Sequence, residues 1–279
     1  MKVVVDAVNS VGGTVIPALL KALGVKEVVE LNCEPTGRFA HNPEPIPENL
    51  IQISEKIKEC GADLGIVVDP DVDRLALVCE NGEMFVEEYT LVAVADYVLK
   101  HTPGNTVSNL SSSRALRDVT LAHGQQYNAA AVGEVNVVTK MKETNTVIGG
   151  EGNGGVIYPE SHYGRDALVG VGLFLSHFVA EGKSMTVLKA TYPQYFISKN
   201  KLTLSPDMDV DKILEGLKKK YASEEITDID GVKIDFKDGW VHLRKSNTEP
   251  IIRIYSESKD EAAANQLAEE VIKVAQSLY

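Results

Sequence analysis

Cysteine is scarce in this chain. Cys33, Cys60 and Cys79 are scattered and form no Cys-x-x-Cys pair, which excludes a disulfide framework and reads as reduced thiols of a cytoplasmic protein. Positive charge is also in deficit. Lys and Arg number 28 against 40 Asp and Glu, a formal net charge of -12, which argues against a general nucleic-acid or anionic-membrane binder. An anionic ligand would therefore need a local cationic site or a metal. No apolar run reaches membrane-spanning length. The opening Met1-Lys2-Val3-Val4-Val5-Asp6 has one cationic side chain and a short apolar stretch cut by an acid, so it reads as a first strand rather than a signal peptide. There is no short tandem repeat, no low-complexity segment and no Gly-Lys-Ser/Thr phosphate loop.

What is present is an α/β pattern long enough for two or three domains: 279 residues, 44% of them hydrophobic. Strand-like runs at 3–5, 28–31 and 64–68 alternate with helical periodicity at 14–23 and 48–60, the latter stopped by Gly61. A proline-rich loop spans 34–47. Residues 75–79 return as an antiparallel strand through Asn81-Gly82. The theme repeats with helix 88–100, strand 106–110, a helix from about 114, strand 128–132, a helix to 141, strand 146–148, a glycine-rich loop at 149–155, and helices at 166–179 and 184–190. The last third groups strands at 195–204, 232–236, 240–244 and 251–256 between helices 210–219 and 260–278, as an α+β domain does. The expected architecture is α/β: two mixed-sheet α/β/α domains at 1–85 and 86–192, then a smaller α+β domain at 193–279.

Chemistry concentrates in three places. Asp69-Pro70-Asp71-Val72-Asp73-Arg74 puts carboxylates at every second position directly after the apolar strand. Carboxylates so close repel unless a cation joins them, and oxygen ligands suit a hard ion such as Mg2+. Arg74 adds a fixed charge useful toward a phosphate. A solvated acidic turn punctuated by Pro70 would carry the same residues. Gly149-Gly150-Glu151-Gly152-Asn153-Gly154-Gly155 lets backbone approach a ligand closely, and its Glu151 and Asn153 suit vicinal sugar hydroxyls, although a turn between strands is an equal reading. Arg244-Lys245-Ser246-Asn247-Thr248-Glu249-Pro250 gathers cations, hydroxyls and an amide in one turn, fit for an anion nest or for a polar hairpin. Ser111-Ser112-Ser113 and Gly133-Glu134 each open a helix. The serines read as caps or a phosphate seat. Glu134 reads as a dipole partner or an acid/base. His162, Arg165 and Asp166 read as surface or helix-orienting residues.

Together the loops resemble the α-D-phosphohexomutase superfamily of phosphoglucomutase, phosphomannomutase and phosphoglucosamine mutase. Asp-Pro-Asp-Val-Asp-Arg at 69–74, Gly-Glu-Gly-Asn-Gly at 150–154 and Arg-Lys-Ser-Asn-Thr-Glu-Pro at 244–250 follow the order of the family's metal, sugar and phosphate loops, and Asn-Pro-Glu-Pro at 42–45 extends the likeness. The resemblance implies that Asp69, Asp71 and Asp73 hold Mg2+ with Arg74 beside the active centre. Glu151 and Asn153 would meet sugar hydroxyls. Arg244, Ser246, Asn247 and Thr248 would grip the non-reacting phosphate of a hexose phosphate or bisphosphate. Glu134 would be the acid/base, at a position where relatives often carry histidine or lysine, and Ser111 stands where some carry lysine. The family's phosphoserine loop has a Ser-His-Asn-Pro core. Here Ala40-His41-Asn42-Pro43 has alanine in the serine place, and its surroundings match the second domain instead. The expectation is a chain equivalent to domains two to four, without the N-terminal phosphoserine domain and inactive by itself. The rival is a non-catalytic phosphosugar-binding module, or a truncated product needing a partner chain. A metal-carboxylate phosphatase with Asp69 as nucleophile leaves the other two loops without a role.

Overall fold

Residues 1–204, 208–246 and 249–278 are described by a computed structural model. They form two compact units, Met1–Ala129 with Gly133–Pro193, and Ala130–Val132 with Gln194–Tyr279. The chain is α/β throughout, with two mixed sheets in its first two thirds and a sheet-rich C-terminal portion.

The first sheet comprises β1 (Lys2–Asp6), β2 (Glu27–Leu31), β3 (Leu64–Val68) and β4 (Leu75–Cys79), in the order β2-β1-β3-β4. β1 pairs in parallel with both β2 and β3, while β4 returns antiparallel to β3. Every residue of β3 and β4 is buried, which is why both read as continuous apolar runs rather than alternating ones. Helices α1 (Gly12–Ala22) and α2 (Ile51–Cys60) belong to this layer. Ile53 and Ile57, one turn apart on α2, pack with Val4, Val67, Ala76 and Val78. Gly61 ends α2 in the left-handed conformation at φ 63°, the ordinary glycine stop.

The second sheet runs β6-β5-β7-β8, from β5 (Thr106–Asn109), β6 (Tyr127–Ala130), β7 (Ile148–Glu151) and β8 (Gly155–Ile157). Its helices are α3 (Glu87–His101), α4 (Ala115–Ala122), α5 (Glu134–Glu143), α6 (Ala167–Glu181) and α7 (Met185–Lys189). Asp166 caps α6 by accepting the N–H groups of Leu168 and Val169. The expected strand at 146–148 is displaced. β7 runs on into the glycine-rich segment, and β8 begins at its last glycine, so only a three-residue turn at 152–154 separates them.

The C-terminal sheet runs β10-β11-β12-β13-β9, from β9 (Phe196–Thr203), β10 (Glu225–Thr227), β11 (Val232–Phe236), β12 (Gly239–Lys245) and β13 (Ile251–Ser258), with α8 (Val210–Lys220) and α9 (Glu261–Gln276). Val210, Ile213 and Leu217 of α8 and Val271 and Ala275 of α9 share a core with Val241, Leu243, Ile252 and Ile254 of the sheet. β10 escapes the sequence pattern because three residues are too few to show alternation.

His242 on β12 is 1% exposed and donates from Nε2 to the Asp230 carbonyl at 2.7 Å. Burial pushes its pKa down from 6.5 to about 4, against the opposing pull of that hydrogen bond. The unfolded chain takes up this proton first as pH falls. Stability is therefore expected to decline by about 1.4 kcal/mol per pH unit from the ordinary histidine value down to the depressed one, and then to lose this contribution to the slope. Urea denaturation of the protein and of His242→Gln across that range checks it, since the variant should lose that part of the slope.

Candidate active site

The aspartate loop begins where β3 ends, at the C-terminal edge that collects ligands in open α/β sheets. Asp69 is fully buried. Its Oδ1 accepts the backbone N–H groups of Asp73 and Arg74 at 3.1 and 3.0 Å, and its Oδ2 accepts Arg74 Nε at 2.7 Å. Val72 holds φ at 62°, a costly conformation for a β-branched residue, and the resulting tight reversal folds the later carboxylates back. Asp69, Asp71 and Asp73 each place an oxygen within 4.8 Å of the others.

Their electrostatics differ. Burial opposes ionisation of Asp69, but the Arg74 backbone and guanidinium hydrogen bonds outweigh it and hold the carboxyl below its usual range. Asp73 is pushed up to about 6 by burial and then by the Asp69 charge, with Arg165 pulling the other way. Asp73 Oδ2 is in ion-pair contact with the Arg165 guanidinium, while its Oδ1 is buried without a hydrogen-bond partner. A buried carboxylate oxygen without a hydrogen bond, 3.7 Å from Arg74 Nε and among two other acids, is what a hard cation would satisfy. The residues therefore fit Mg2+, and Asp71, the exposed member, can enter its coordination freely.

The glycine-rich segment lies against this loop. Leu75 N–H donates to Gly154 O at 3.0 Å, Arg74 bridges Gly155, and Ala167 N–H donates to Val72 O at 3.0 Å. Gly154 has φ 89°, and a Cβ there would lie 2.4 Å from Leu75 O, so only glycine permits the junction. Glu151, the last residue of β7, is 5% exposed. Its Oε1 accepts Asn109 Nδ2 at 2.8 Å and Gly133 N–H at 3.2 Å, and its Oε2 accepts Arg165 Nη1 at 3.2 Å. Asn153 Oδ1 accepts Gly155 N–H at 3.1 Å across the turn.

Glu134, the first residue of α5, meets Arg165 twice: Oε1 accepts its backbone N–H at 3.1 Å and Oε2 its Nε at 3.2 Å. Asp69, Asp71, Asp73, Arg74, Glu134, Glu151 and Asn153 thus belong to one unit, with Arg165 bonded to three of the acids. The serine run has another task. Ser112 Oγ accepts Gly152 N–H at 2.9 Å and donates to Asn109 Oδ1 at 3.1 Å, and Ser113 Oγ accepts Ala115 N–H at 3.1 Å. Asn109 was not singled out by the sequence. Its only signal is being a polar residue at the C-terminal end of a strand.

The 244–250 segment lies in the second unit. Arg244 is within β12, opposite Arg253 on β13, and its Nε is buried with no hydrogen-bond partner. Ser246 is 5% exposed, and its N–H donates to Ile251 O at 3.0 Å, closing the turn. Asn247 and Thr248 lie outside the described residues.

Three family models match the chain. "Phosphoglucomutase/phosphomannomutase, alpha/beta/alpha domain II" covers residues 1–82, domain III covers 87–195, and the C-terminal domain IV covers 202–274. A phosphoglucomutase/phosphomannomutase of Thermococcus kodakarensis is 40% identical over 98% of this chain and 60% of its own length. A phosphoglucosamine/phosphogalactosamine mutase of Sulfurisphaera tokodaii is 33% identical over 98% of this chain and 61% of its own length. A crystal structure of a phosphoglucomutase/phosphomannomutase family protein from Burkholderia thailandensis superposes with TM-score 0.86 at 30% identity, over 99% of this chain and 61% of that one. This chain spans about three fifths of the length of such relatives.

Proposed function

The chain belongs to the phosphoglucomutase/phosphomannomutase family, and on that footing we propose that it supplies the metal, sugar and phosphate sites of a phosphohexose mutase. The reaction would interconvert the 1- and 6-phosphates of a glucose-, mannose- or glucosamine-type hexose through a bisphosphate. The observation that carries this reading is the junction of the two loops: three converging carboxylates, one with a buried oxygen that makes no hydrogen bond, hydrogen-bonded edge to edge with the glycine-rich turn.

In this reading Asp69, Asp71 and Asp73 hold Mg2+. When bound, the ion would neutralise charge on the phosphoryl group during transfer. Arg74, fixed by Asp69, directs its remaining donors toward the same phosphoryl group. Glu151 and Asn153 orient the sugar hydroxyls, and Glu134 at the mouth of the same cluster is the proton-transfer group. Arg244, Ser246, Asn247 and Thr248 hold the phosphate that is not reacting. In the same reading the phosphoryl is exchanged with a serine phosphate, and no Ser-His-Asn-Pro loop occurs among these 279 residues to supply it. These residues alone are therefore expected to bind hexose phosphate without turning it over. A cytoplasmic location is part of the proposal. Among the described residues all three cysteines are free, and burial pushes the Cys33 and Cys79 thiols up to about 11 and 12. No helix there is long and apolar enough to cross a membrane.

Calorimetric titration with glucose 6-phosphate tests the assignment. Arg244→Ala removes a half-buried guanidinium whose Nε has no hydrogen-bond partner, and the expected loss is about 1.5–3 kcal/mol of binding, roughly 10- to 150-fold in Kd. An unchanged affinity would reject the phosphate-loop assignment.

A further inference from the structure

Arg165 touches the aspartate loop, the glycine-rich strand and α5 together. Its guanidinium contacts Asp73 Oδ2 through Nη2, Glu151 Oε2 through Nη1 and Glu134 Oε2 through Nε. Its side chain is 19% exposed, and its backbone is held on both sides. Its own N–H donates to Glu134, and the next residue, Asp166, donates its N–H to Val156 O and caps α6. The stem of the side chain crosses directly over Gly155, where a Cβ would lie 2.4 Å from Arg165 Cδ. A planar fork with five donors meets the three carboxylates from three separate nitrogens in fixed directions, whereas an ammonium offers its three donors from a single rotating point.

The arrangement at Asp73 is asymmetric. One oxygen is taken by Arg165, and the other is buried without a hydrogen bond, with Arg74 Nε 3.7 Å away. Groups that hold a ligand by its non-coordinating atom fix which atom it offers, and losing them weakens metal binding. We propose that Arg165 is a positioning residue for the cation site: it holds Asp73 by Oδ2 so that Oδ1 faces the ion, and it ties that geometry to Glu151 and Glu134. The cation loop and the sugar-facing carboxylate are then set by a single side chain. This rests on the reading of the aspartate loop as a metal site.

Mn2+ is the probe, with free ion counted by its paramagnetic resonance signal during titration of the full chain, and folding followed by circular dichroism. The unmodified protein is expected to bind Mn2+ and Asp71→Asn to lose it. Arg165→Met should weaken binding about 10- to 100-fold, with Arg165→Lys in between. Gly155→Ala keeps the charge but displaces the stem, and it should also weaken binding, so the inference stays testable if Arg165→Met does not fold. Binding by Arg165→Met and Gly155→Ala as tight as in the unmodified protein, or tighter, would overturn the proposal and make Arg165 a counter-ion that the metal displaces. No binding by the unmodified protein would instead remove the metal reading itself, and this proposal with it.

Discussion

Asp69→Ala is expected to destabilise the protein by about 3–5 kcal/mol and to abolish divalent-cation binding in the same variant. Asp69 is fully buried and accepts three hydrogen bonds, two from the backbone of its own loop and one from Arg74 Nε. Taking away one member of a buried ion pair leaves the other uncompensated, which costs on that order. Arg74 would retain only the longer 3.7 Å approach to Asp73. The loop's reversal through Val72 would also lose the two N–H anchors that hold Asp73 near Asp71. Asp69→Asn separates the two effects, because it keeps a hydrogen-bonding side chain of similar size but removes the charge. Urea denaturation with and without Mn2+ measures both. The alanine variant should show the full stability loss, and neither variant should be stabilised by the ion. Mn2+-dependent stabilisation of Asp69→Asn equal to that of the unmodified protein would remove Asp69 from the ligand set.

Trp240→Ala is expected to cost about 3–5 kcal/mol in the C-terminal unit, the usual range for deleting a fully buried large aromatic. Trp240 is the chain's single tryptophan and is 0% exposed. Its Nε1–H donates to the fully buried Glu257 at 2.7 Å from the opposite strand, and Lys233 Nζ lies 4.6 Å over its ring. The substitution therefore creates a cavity and withdraws a hydrogen bond from a buried carboxylate. Trp240→Phe keeps most of the apolar volume and should cost less. Denaturation followed by circular dichroism checks both, and a loss below about 1 kcal/mol for alanine would mean that the site collapses around the gap.

Some of this was legible in the residues and some was not, for identifiable reasons. The run Leu64–Val68 ends abruptly at Asp69, so both the buried strand and the acidic loop beyond it can be read from the one-dimensional pattern. Gly61 and Asp166 announce a helix stop and a helix start through local backbone chemistry. The glycine-rich segment is different. Glycine marks a close approach without saying to what, and here the approach is to β4 through Leu75 and to β8, so half of the expected loop is strand. Arg165 is read from sequence only as a neighbour of α6, because its three partners lie 14, 31 and 92 residues away along the chain, at Glu151, Glu134 and Asp73. Asn109 escapes for the same reason, since its meaning comes from Glu151 across two strands of one sheet. Three-dimensional polar networks of this kind leave little trace in spacing.

If the proposed function holds, the aspartate loop and the glycine-rich turn hydrogen-bonded to it act on one ligand. Calorimetric titration with glucose 1,6-bisphosphate in Mg2+ and in EDTA, for the protein and for Asp71→Asn, tests it most directly. Asp71 is exposed and outside the buried hydrogen bonds of the loop, so its replacement should leave the fold intact. The expected result is tighter binding in Mg2+ for the unmodified protein and no such gain for the variant. Equal affinity with and without Mg2+, or a gain that survives Asp71→Asn, would contradict the account.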